Sequence, residues 1–296
     1  VADAICAYID NNDITVDELM HYIKGPDFPT GGIIQGISGI RDAFETGRGR
    51  IVVRSKTEIE VQPSGREVIV VTEIPYMVNK KEMIEGIARL VEEKKIDGIA
   101  YINDESDHKG MRVVIKLKMG AVSSVVLNTL FKLSSLQSSF SVNNVVLVDG
   151  RPRLLNLKQL IKYFVRHRHN VVVRRAQFNL NEARRKEHIL AGLLKAIDII
   201  DEVIALIRAS RSRQDARDGL CAQFGFTEIQ AGAIVEMRLG QLTGMDREKL
   251  RADYDEVIRL IEELTAFLAD ESLQYGLIKK ETMELKEKYG DPRRTE

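Results

Sequence analysis

The sequence predicts an α+β module followed by a long antiparallel helical coiled coil with a small all-α dimerisation knob. Three observations carry this expectation. Residues 51–61 alternate apolar and polar side chains, as a half-buried strand does. Leu190, Leu193, Ile197, Ile200, Ile204 and Ile207 step by three and four alternately, and Leu250, Tyr254, Val257, Ile261, Leu264 and Leu268 repeat that heptad seam. Between the seams, residues 210–246 are broken by Gly219, Gly225, Gly240 and Gly244. Two amphipathic helices so separated bury their stripes most economically against each other.

In chain order, Val1 to Tyr8 looks like the middle of an apolar helix with no cap and no initiator Met before it, so the chain is expected to be an excised fragment. A second short helix carries Val16, Leu19, Met20 and Ile23 on one face. Gly25-Pro26-Asp27-Phe28-Pro29-Thr30-Gly31-Gly32 stops helix and is taken as a domain boundary. Ile51, Val53, Thr57, Ile59 and Val61 then form one strand face, and after the turn Pro63-Ser64-Gly65 the strand Glu67 to Ile74 returns as a hairpin. Asn79 is placed to cap a helix with Met83, Ile84, Ile87, Leu90 and Val91 on its apolar side. Strands at Ile99–Ile102, Met111–Lys118 and Val145–Val148, a helix from Ala121 to Leu133 and a turn at Asp149-Gly150-Arg151-Pro152 complete the module.

From Asn156 onward the period is helical. The second seam continues in phase through Tyr275, Ile278, Leu285 and Tyr289, interrupted at Glu271 and Thr282, so a return helix from Leu250 to Tyr289 would be about 60 Å long. Thr227 caps a knob helix with Ile229, Ala233, Ile234, Met237 and Leu239. So small a knob has little of its own chain to pack against, so Ile234, Met237, Leu239 and Leu242 are expected to include residues that meet a second copy. The expected segments are thus 1–26, 27–155, 156–209, 210–249 and 250–296.

Bulk properties exclude several classes. At 296 residues and 44% hydrophobic the chain is long enough for two domains with cores, and disorder is a poor general reading. Lys+Arg and Asp+Glu both number 44, so no global attraction to polyanions or membranes follows from net charge. The two cysteines, Cys6 and Cys221, are far apart and lack metal spacing, which points to a reducing, cytoplasmic compartment. No apolar run approaches membrane-spanning length.

Charge distribution says more than charge total. From Arg151, the residues Arg153, Lys158, Lys162, Arg166, Arg168, Arg174, Arg175, Arg184 and Arg185 follow with Glu182 the only acid between them. Such a run attracts phosphate. The competing reading is ion pairing with Asp253, Asp255, Glu256, Glu262 and Glu263 of the return helix, even-handedly for Arg184 and Arg185, while Arg166, Arg168, Arg174 and Arg175 favour nucleic acid. Arg48, Arg50, Arg54 and Lys56 form a second basic surface beside Gly47 and Gly49, which let backbone approach a ligand closely; an ordinary solvated strand face is the alternative. Asp104-Glu105-Ser106-Asp107 suits a hard cation but a turn explains it better. His167 and His169 do not share a helix face, so paired metal ligation is not expected. Gly47-Arg48-Gly49-Arg50 lacks phosphate-loop spacing, and no nucleophile constellation such as GxSxG is present, so catalytic, metal and nucleotide sites are all expected to be absent from this chain.

Several stretches together resemble one family. They are the Gly25–Gly32 segment, Thr46-Gly47-Arg48-Gly49-Arg50, Glu73-Ile74-Pro75-Tyr76, Asp104-Glu105-Ser106-Asp107, Phe164-Val165-Arg166-His167-Arg168-His169, Met237-Arg238-Leu239, Leu242-Thr243-Gly244 and Tyr289-Gly290-Asp291-Pro292-Arg293-Arg294-Thr295-Glu296. In this order they resemble the A subunits of bacterial type IIA DNA topoisomerases, the gyrase branch more than topoisomerase IV. The resemblance implies the end of a winged-helix domain at residues 1–26, the tower (shoulder) domain at 27–155, and a coiled coil leading to a C-gate whose dimer interface holds Ile234, Met237, Arg238, Leu239, Leu242 and Thr243. It also implies partners: duplex DNA, a second A subunit, and the gyrase B subunit in an A2B2 complex, with Mg²⁺ and ATP bound by the B subunit and no cofactor here. In that family a Tyr directly after an Arg cuts DNA; none of Tyr8, Tyr22, Tyr76, Tyr101, Tyr163, Tyr254, Tyr275 and Tyr289 follows an Arg, so the nucleophile is expected outside this chain and the fragment alone to be inactive. A topoisomerase IV A subunit, or a non-enzymatic coiled-coil adaptor dimerising through its knob, is the alternative.

Overall fold

The computed structural model describes residues 1–63, 65–108, 110–237 and 244–296, the last with side chains from 247 onward. An α+β region is followed by one long helix and a set of shorter ones. The chain divides into two compact units, Val1–Val165 with Glu281–Glu296, and Arg166–Lys280.

In the first unit, helix α1 (Ala2–Asp10) buries Ala4, Ile5 and Tyr8, and α2 (Val16–Tyr22) starts from Thr15 in a capping box with Glu18. Strand β1 (Ile33–Gln35), helix α3 (Ser38–Thr46) and strand β2 (Arg48–Arg54) follow. Next come β3 (Lys56–Val61), β4 (Glu67–Glu73), α4 (Lys80–Glu92), β5 (Ile99–Asp104), β6 (Val113–Leu117), α5 (Ser123–Leu133), β7 (Gln137–Asn143), β8 (Val145–Val148) and β9 (Arg151–Leu154). They form two sheets, ordered β1-β2-β7 and β3-β4-β6-β5, and a two-stranded hairpin β8-β9.

The four-stranded sheet holds the larger core. Ile69, Val71, Val113 and Ile115 on one face pack against Met83 and Ile87 of α4 and Val126 and Leu130 of α5. That Met83 and Ile87 point inward follows from their four-residue spacing. The helix begins where Asn79 Oδ1 accepts the N–H groups of Lys81 and Glu82, as the sequence predicts.

The single strand expected over 51–61 is two strands in two sheets. Alternation keeps its phase through Ser55, but the Ser55 N–H turns aside to the carbonyl of Leu136 (2.8 Å), and β2 and β3 part there. β3 does pair with β4 as the expected hairpin, Ile59 opposite Ile69, yet at the sheet edge Ile59 and Val61 are exposed instead of half-buried. The turn expected at Asp149-Gly150-Arg151-Pro152 is tighter. Asp149 and Gly150 take positive φ and make a two-residue hairpin loop, so Arg151 and Pro152 already belong to β9.

Helix α6 (Leu157–Asp198) begins from a reciprocal cap in which Asn156 and Gln159 exchange hydrogen bonds. Its first residues, Leu157, Ile161 and Val165, are buried in the first unit. The second unit contains its remainder, α7 (Ile200–Ala209), α8 (Arg213–Phe224), α9 (Glu228–Val235), α10 (Gly244–Ala269) and the start of α11 (Glu271–Tyr289).

Both expected seams cross a helix break. The helix stops at Ile199 (φ −119°, ψ 36°), which shifts the phase, so α7 buries Val203 with Leu206 and Ile207 packed nearby, not the run through Ile200 and Ile204. The return helix divides at Asp270, whose carboxylate accepts the Ser272 N–H (2.7 Å) and starts α11 afresh. Beyond that break Gln274 and Ile278 are buried, while Leu285 (58% exposed) and Tyr289 (67%) are on the surface, so the seam does not continue to Tyr289.

Along α6 and α10, Ala183, Leu190 and Val257 share a buried cluster with Leu250, Tyr254 and Ile261 beside it. Within α11, buried Gln274 accepts from the His169 ring at its Oε1 (2.7 Å) and gives its amide N–H groups to the carbonyls of Phe267 and Leu268. The segment after α6 has more of its own core than its length suggests. Ala196, Val203, Leu220, Phe226, Ala231 and Ile234 are buried together, with Phe224 and Leu193 against them. Three helices, α7 to α9, close over one another, so this segment packs on its own chain where the sequence suggested it had little to pack against.

Candidate nucleic-acid interface

Strand β2 places Arg48, Arg50, Val52 and Arg54 on one face and Gly49, Ile51 and Val53 on the other, because side chains alternate along a strand. The second face is buried beneath α3, with Ile51 and Val53 each 1% exposed. The first face is polar across its neighbour too. In register, Arg48 lies opposite Asn143, Arg50 opposite Ser141, Val52 opposite Ser139 and Arg54 opposite Gln137, and opposed residues share a face. The outcome is a sheet surface of guanidinium, hydroxyl and amide groups, all of them phosphate donors.

The four basic residues expected here are not equivalent. Arg48 and Arg50 are exposed. Arg54 is half-buried, its Nε donating to Gln137 Oε1 (2.6 Å) and its guanidinium lying 4.8 Å from the centre of the Phe131 ring. Lys56 begins the next strand in the other sheet and pairs with Glu296 (2.6 Å), which holds its ammonium above the ordinary lysine range. Gly47 and Gly49 serve the protein's own backbone, not a ligand. A Cβ at Gly49 would lie 2.7 Å from the Ala43 nitrogen, and one at Gly47 would meet the carbonyl of Leu155.

The second basic set lies on α6 in the other unit. Arg166, Arg174 and Arg175 are exposed and Arg168 is half-buried. Arg168 and Arg175, seven residues apart, share one stripe of the helix. Arg174 Nε bonds back to the Asn170 carbonyl (3.3 Å), and Arg166, Arg168 and Arg175 have interactions within the chain. Of the two distal arginines, Arg185 pairs with Glu182 one turn earlier (2.6 Å), so its partner is on its own helix and not the return helix. His169 stacks on Tyr275 (4.9 Å) and bonds Gln274 while His167 is exposed.

Of the residues expected at a dimer interface, Ile234 is 2% exposed within the α7–α9 core and Met237 is half-buried. Arg238, Leu239, Leu242 and Thr243 lie outside the described residues.

The carboxylates at 104–107 are engaged by the chain itself. Asp104 accepts from Lys80 (2.6 Å) and from the Ser106 hydroxyl, and Glu105 pairs with Arg112. The Lys80 hydrogen bond, then Ser106, pulls the Asp104 carboxyl from 3.8 to about 2. A folded-state value below the unfolded one contributes stability above about pH 4 that is lost as pH falls toward 2. Asp104→Asn is therefore expected to cost under about 1 kcal/mol at neutral pH, the ceiling for an exposed pair. The difference from the unsubstituted chain should close between pH 4 and 2 in urea titrations, and a constant difference would show the pair contributes nothing.

The sequence pattern did not reveal β7 or the segment 293–296. The first had a signal, since Gln137, Ser139, Ser141 and Asn143 alternate with Phe140 and Val142. The second shows only in three dimensions. Asp27 accepts the N–H groups of Arg294 and Thr295, and Arg293 donates to the carbonyls of Gly25 and Pro26. Nearby, Phe28 stacks on Tyr76 (5.7 Å) and meets Phe140 edge-on (5.1 Å), while Glu73 accepts the Gly32 N–H. Three stretches that carried the resemblance, around Phe28, Tyr76 and Thr295, thus converge on the edge of the basic sheet.

A family profile describing the A subunit of DNA gyrase/topoisomerase IV matches residues 1–283. The chain is 50% identical over 295 residues to the DNA gyrase A subunit of Clostridium acetobutylicum, covering all of this chain and 36% of that protein. It is 50% identical over 297 residues to the DNA gyrase A subunit of Staphylococcus epidermidis and 47% identical over 297 residues to that of Treponema pallidum, covering 33% and 36% of those proteins. The chain spans about a third of the length of these relatives. Among the described residues, no helix is long and apolar enough to cross a membrane.

Proposed function

We propose, because this chain belongs to the DNA gyrase/topoisomerase IV A-subunit family, that it is the DNA-holding and gate-forming part of a gyrase A-type subunit. The intact enzyme would be an ATP-dependent type IIA topoisomerase that cleaves, passes and rejoins duplex DNA. The observation that carries the reading is the β2 face. Arg48, Arg50 and Arg54 stand in one row beside Ser139, Ser141 and Asn143, an arrangement that positions phosphates without reading bases. Arg166, Arg168, Arg174 and Arg175 on α6 are a second proposed DNA-contacting set, and Lys56 flanks the first.

In this reading residues 1–26 end a winged-helix domain, residues 27–155 are the tower, and residues 156–209 and 250–296 form an antiparallel coiled coil. Support comes from partners that run in opposite order, His169 with Gln274, Glu187 with Tyr254 and Asp198 with Arg247. The knob, residues 210–249, is the C-gate, meeting a second A subunit through Met237, Arg238, Leu239, Leu242 and Thr243, while Ile234, expected in that contact, is buried in the chain's own core. The B subunit completes an A2B2 assembly and supplies the ATP and Mg²⁺ sites. Cleavage chemistry lies outside this chain, which alone should be inactive.

Titration of a fluorescent duplex of about 30 bp tests the reading. Affinity should fall with salt at a slope near 0.9 per neutralised phosphate, and salt-independent or absent binding would overturn it. Light scattering tests the gate. The chain should be a dimer at tens of micromolar, and Met237→Glu should shift it toward monomer, because a charge in an apolar contact carries a desolvation cost of several kcal/mol, on the order of that for a buried ion. A monomer before substitution would refute the dimer.

A further inference from the structure

Strand β1 is three residues long and pairs with β2 only at Ile33, Ile34 and Gln35. A strand that short is marginal on one ladder. Its outer edge is occupied by residues from far along the chain. The Glu296 N–H donates to the Gly32 carbonyl (2.9 Å) and the Glu296 carbonyl accepts the Ile34 N–H (2.7 Å), so one residue spans the β1 edge as a neighbouring strand would. Behind that contact is a clasp. Thr295, 2% exposed, accepts the Phe28 N–H at its hydroxyl (2.7 Å), and Asp27 takes the N–H groups of Thr295 (2.8 Å) and Arg294 (3.1 Å). Arg293 donates to Gly25, Pro26 and Thr295 carbonyls, all near 2.7–2.8 Å. Burial pushes the Asp27 carboxyl up, but the Thr295 and Arg294 hydrogen bonds and the Arg293 charge outweigh it and leave it below its ordinary value.

The other side of the same turn is equally constrained. Gly31 (φ 70°) and Gly32 (φ 88°) leave no room for a Cβ, since Glu73 and the Arg54 carbonyl stand against them. Glu296 also pairs with Lys56, the residue that follows the basic strand by two. Among the described residues, the hydrogen bonds and ion pairs of 293–296 therefore reach β1, the turn before it and Lys56 at the start of β3. Apart from the Lys56 pairing, its contacts act on a ligand on the β2 face through the placement of that edge.

We infer that the 293–296 clasp is a positioning device for the polyanion surface, with Asp27 and Thr295 as positioning residues that hold β1 and the Lys56 corner where bound duplex needs them. The inference rests on the nucleic-acid reading of the β2 face. It separates two quantities that a phosphate contact would change together. Loosening the clasp should lower affinity without removing a neutralised phosphate, so the salt slope stays the same.

The test uses Thr295→Val, which keeps shape and removes the hydroxyl, Thr295→Ser, which restores it, and Asp27→Asn. Duplex affinity is measured at several salt concentrations and exchange of the Ile34 amide by NMR. Expected are faster Ile34 exchange and about three- to tenfold weaker binding in Thr295→Val and Asp27→Asn, the size of one or two lost hydrogen bonds. The slope should be unchanged, and Thr295→Ser should regain most of the loss. Faster Ile34 exchange with unmoved affinity would overturn the inference alone, as would a changed slope. Absent or salt-independent binding by the unsubstituted chain would overturn the nucleic-acid reading and the inference with it.

Discussion

Replacing Arg48 and Arg50 together by glutamate is expected to weaken duplex binding by about thirtyfold or more near 50 mM salt and to lower the salt slope by about two. Each arginine neutralises one phosphate in the proposed arrangement, and each contact contributes about 0.9 to the slope. Reversal adds repulsion beyond the loss. Both side chains are exposed on the face of β2 away from α3, so the fold should tolerate the change, and an unaltered circular dichroism spectrum and melting temperature would verify this. Arg54 is a poorer choice because its guanidinium is bound to Gln137 and lies over Phe131, so its removal would confound packing with charge. Lys81→Glu, at an exposed position on α4, is the control and should leave affinity and slope near those of the unsubstituted chain. Equal loss in the control would mean the effect is only net charge. No loss in the double variant would remove the β2 face from the interface and leave α6 as the surface.

Why Arg48 and Arg50 could be found in the sequence while their surroundings could not is a matter of range. A strand's alternation is local, so the row Arg48, Arg50, Arg54 was visible, as were the Asn79 cap and the Met83/Ile87 face of α4. Alternation says nothing about which sheet a strand joins. Ile51, Val53, Ser55, Thr57 and Ile59 share one parity, so the pattern runs unbroken past Ser55, where the chain changes sheets. A three-residue strand such as β1 has no periodicity to detect, and its second edge comes from Glu296, more than 260 residues away in the clasp contacts.

The helical half failed differently. A step of three and four survives a one-residue break in the helix, because skipping Ile199 or Asp270 leaves enough apolar positions to continue the count. The break at Asp270 did leave a trace, the interruption of the seam at Glu271. The Ile199 break left none, since Ile199 and Ile200 are both apolar and only the backbone angle marks it. The choice of charge partner, which the sequence leaves open for Arg185, is decided by distance, Glu182 one turn away taking it over acids on another helix.

The second large effect is expected at the contact that presents the basic face. Gly39 of α3 and Gly49 of β2 face each other so closely that a Cβ on Gly39 would meet the Arg50 carbonyl oxygen and lie 2.8 Å from its carbon, and one on Gly49 would lie 2.7 Å from the Ala43 nitrogen. These neighbours are backbone, so no rotamer change relieves the clash. Gly49→Val must push α3 from the sheet or bend β2, and overpacking of this kind costs about 1–3 kcal/mol, more where backbone has to move. Against a total stability of roughly 5–15 kcal/mol, that is a large share. Urea denaturation should show a clear fall in midpoint for Gly49→Val, a smaller one for Gly49→Ala, and the same order for Gly39. Displacing α3 also uncovers Ile51 and Val53 and tilts Arg48 and Arg50 away from Asn143 and Ser141, so duplex affinity should fall in parallel with stability. In Arg48→Glu/Arg50→Glu affinity falls alone. A Gly49→Val chain with an unchanged urea midpoint would mean that α3 and β2 are not in the close contact on which the presentation of the basic face depends.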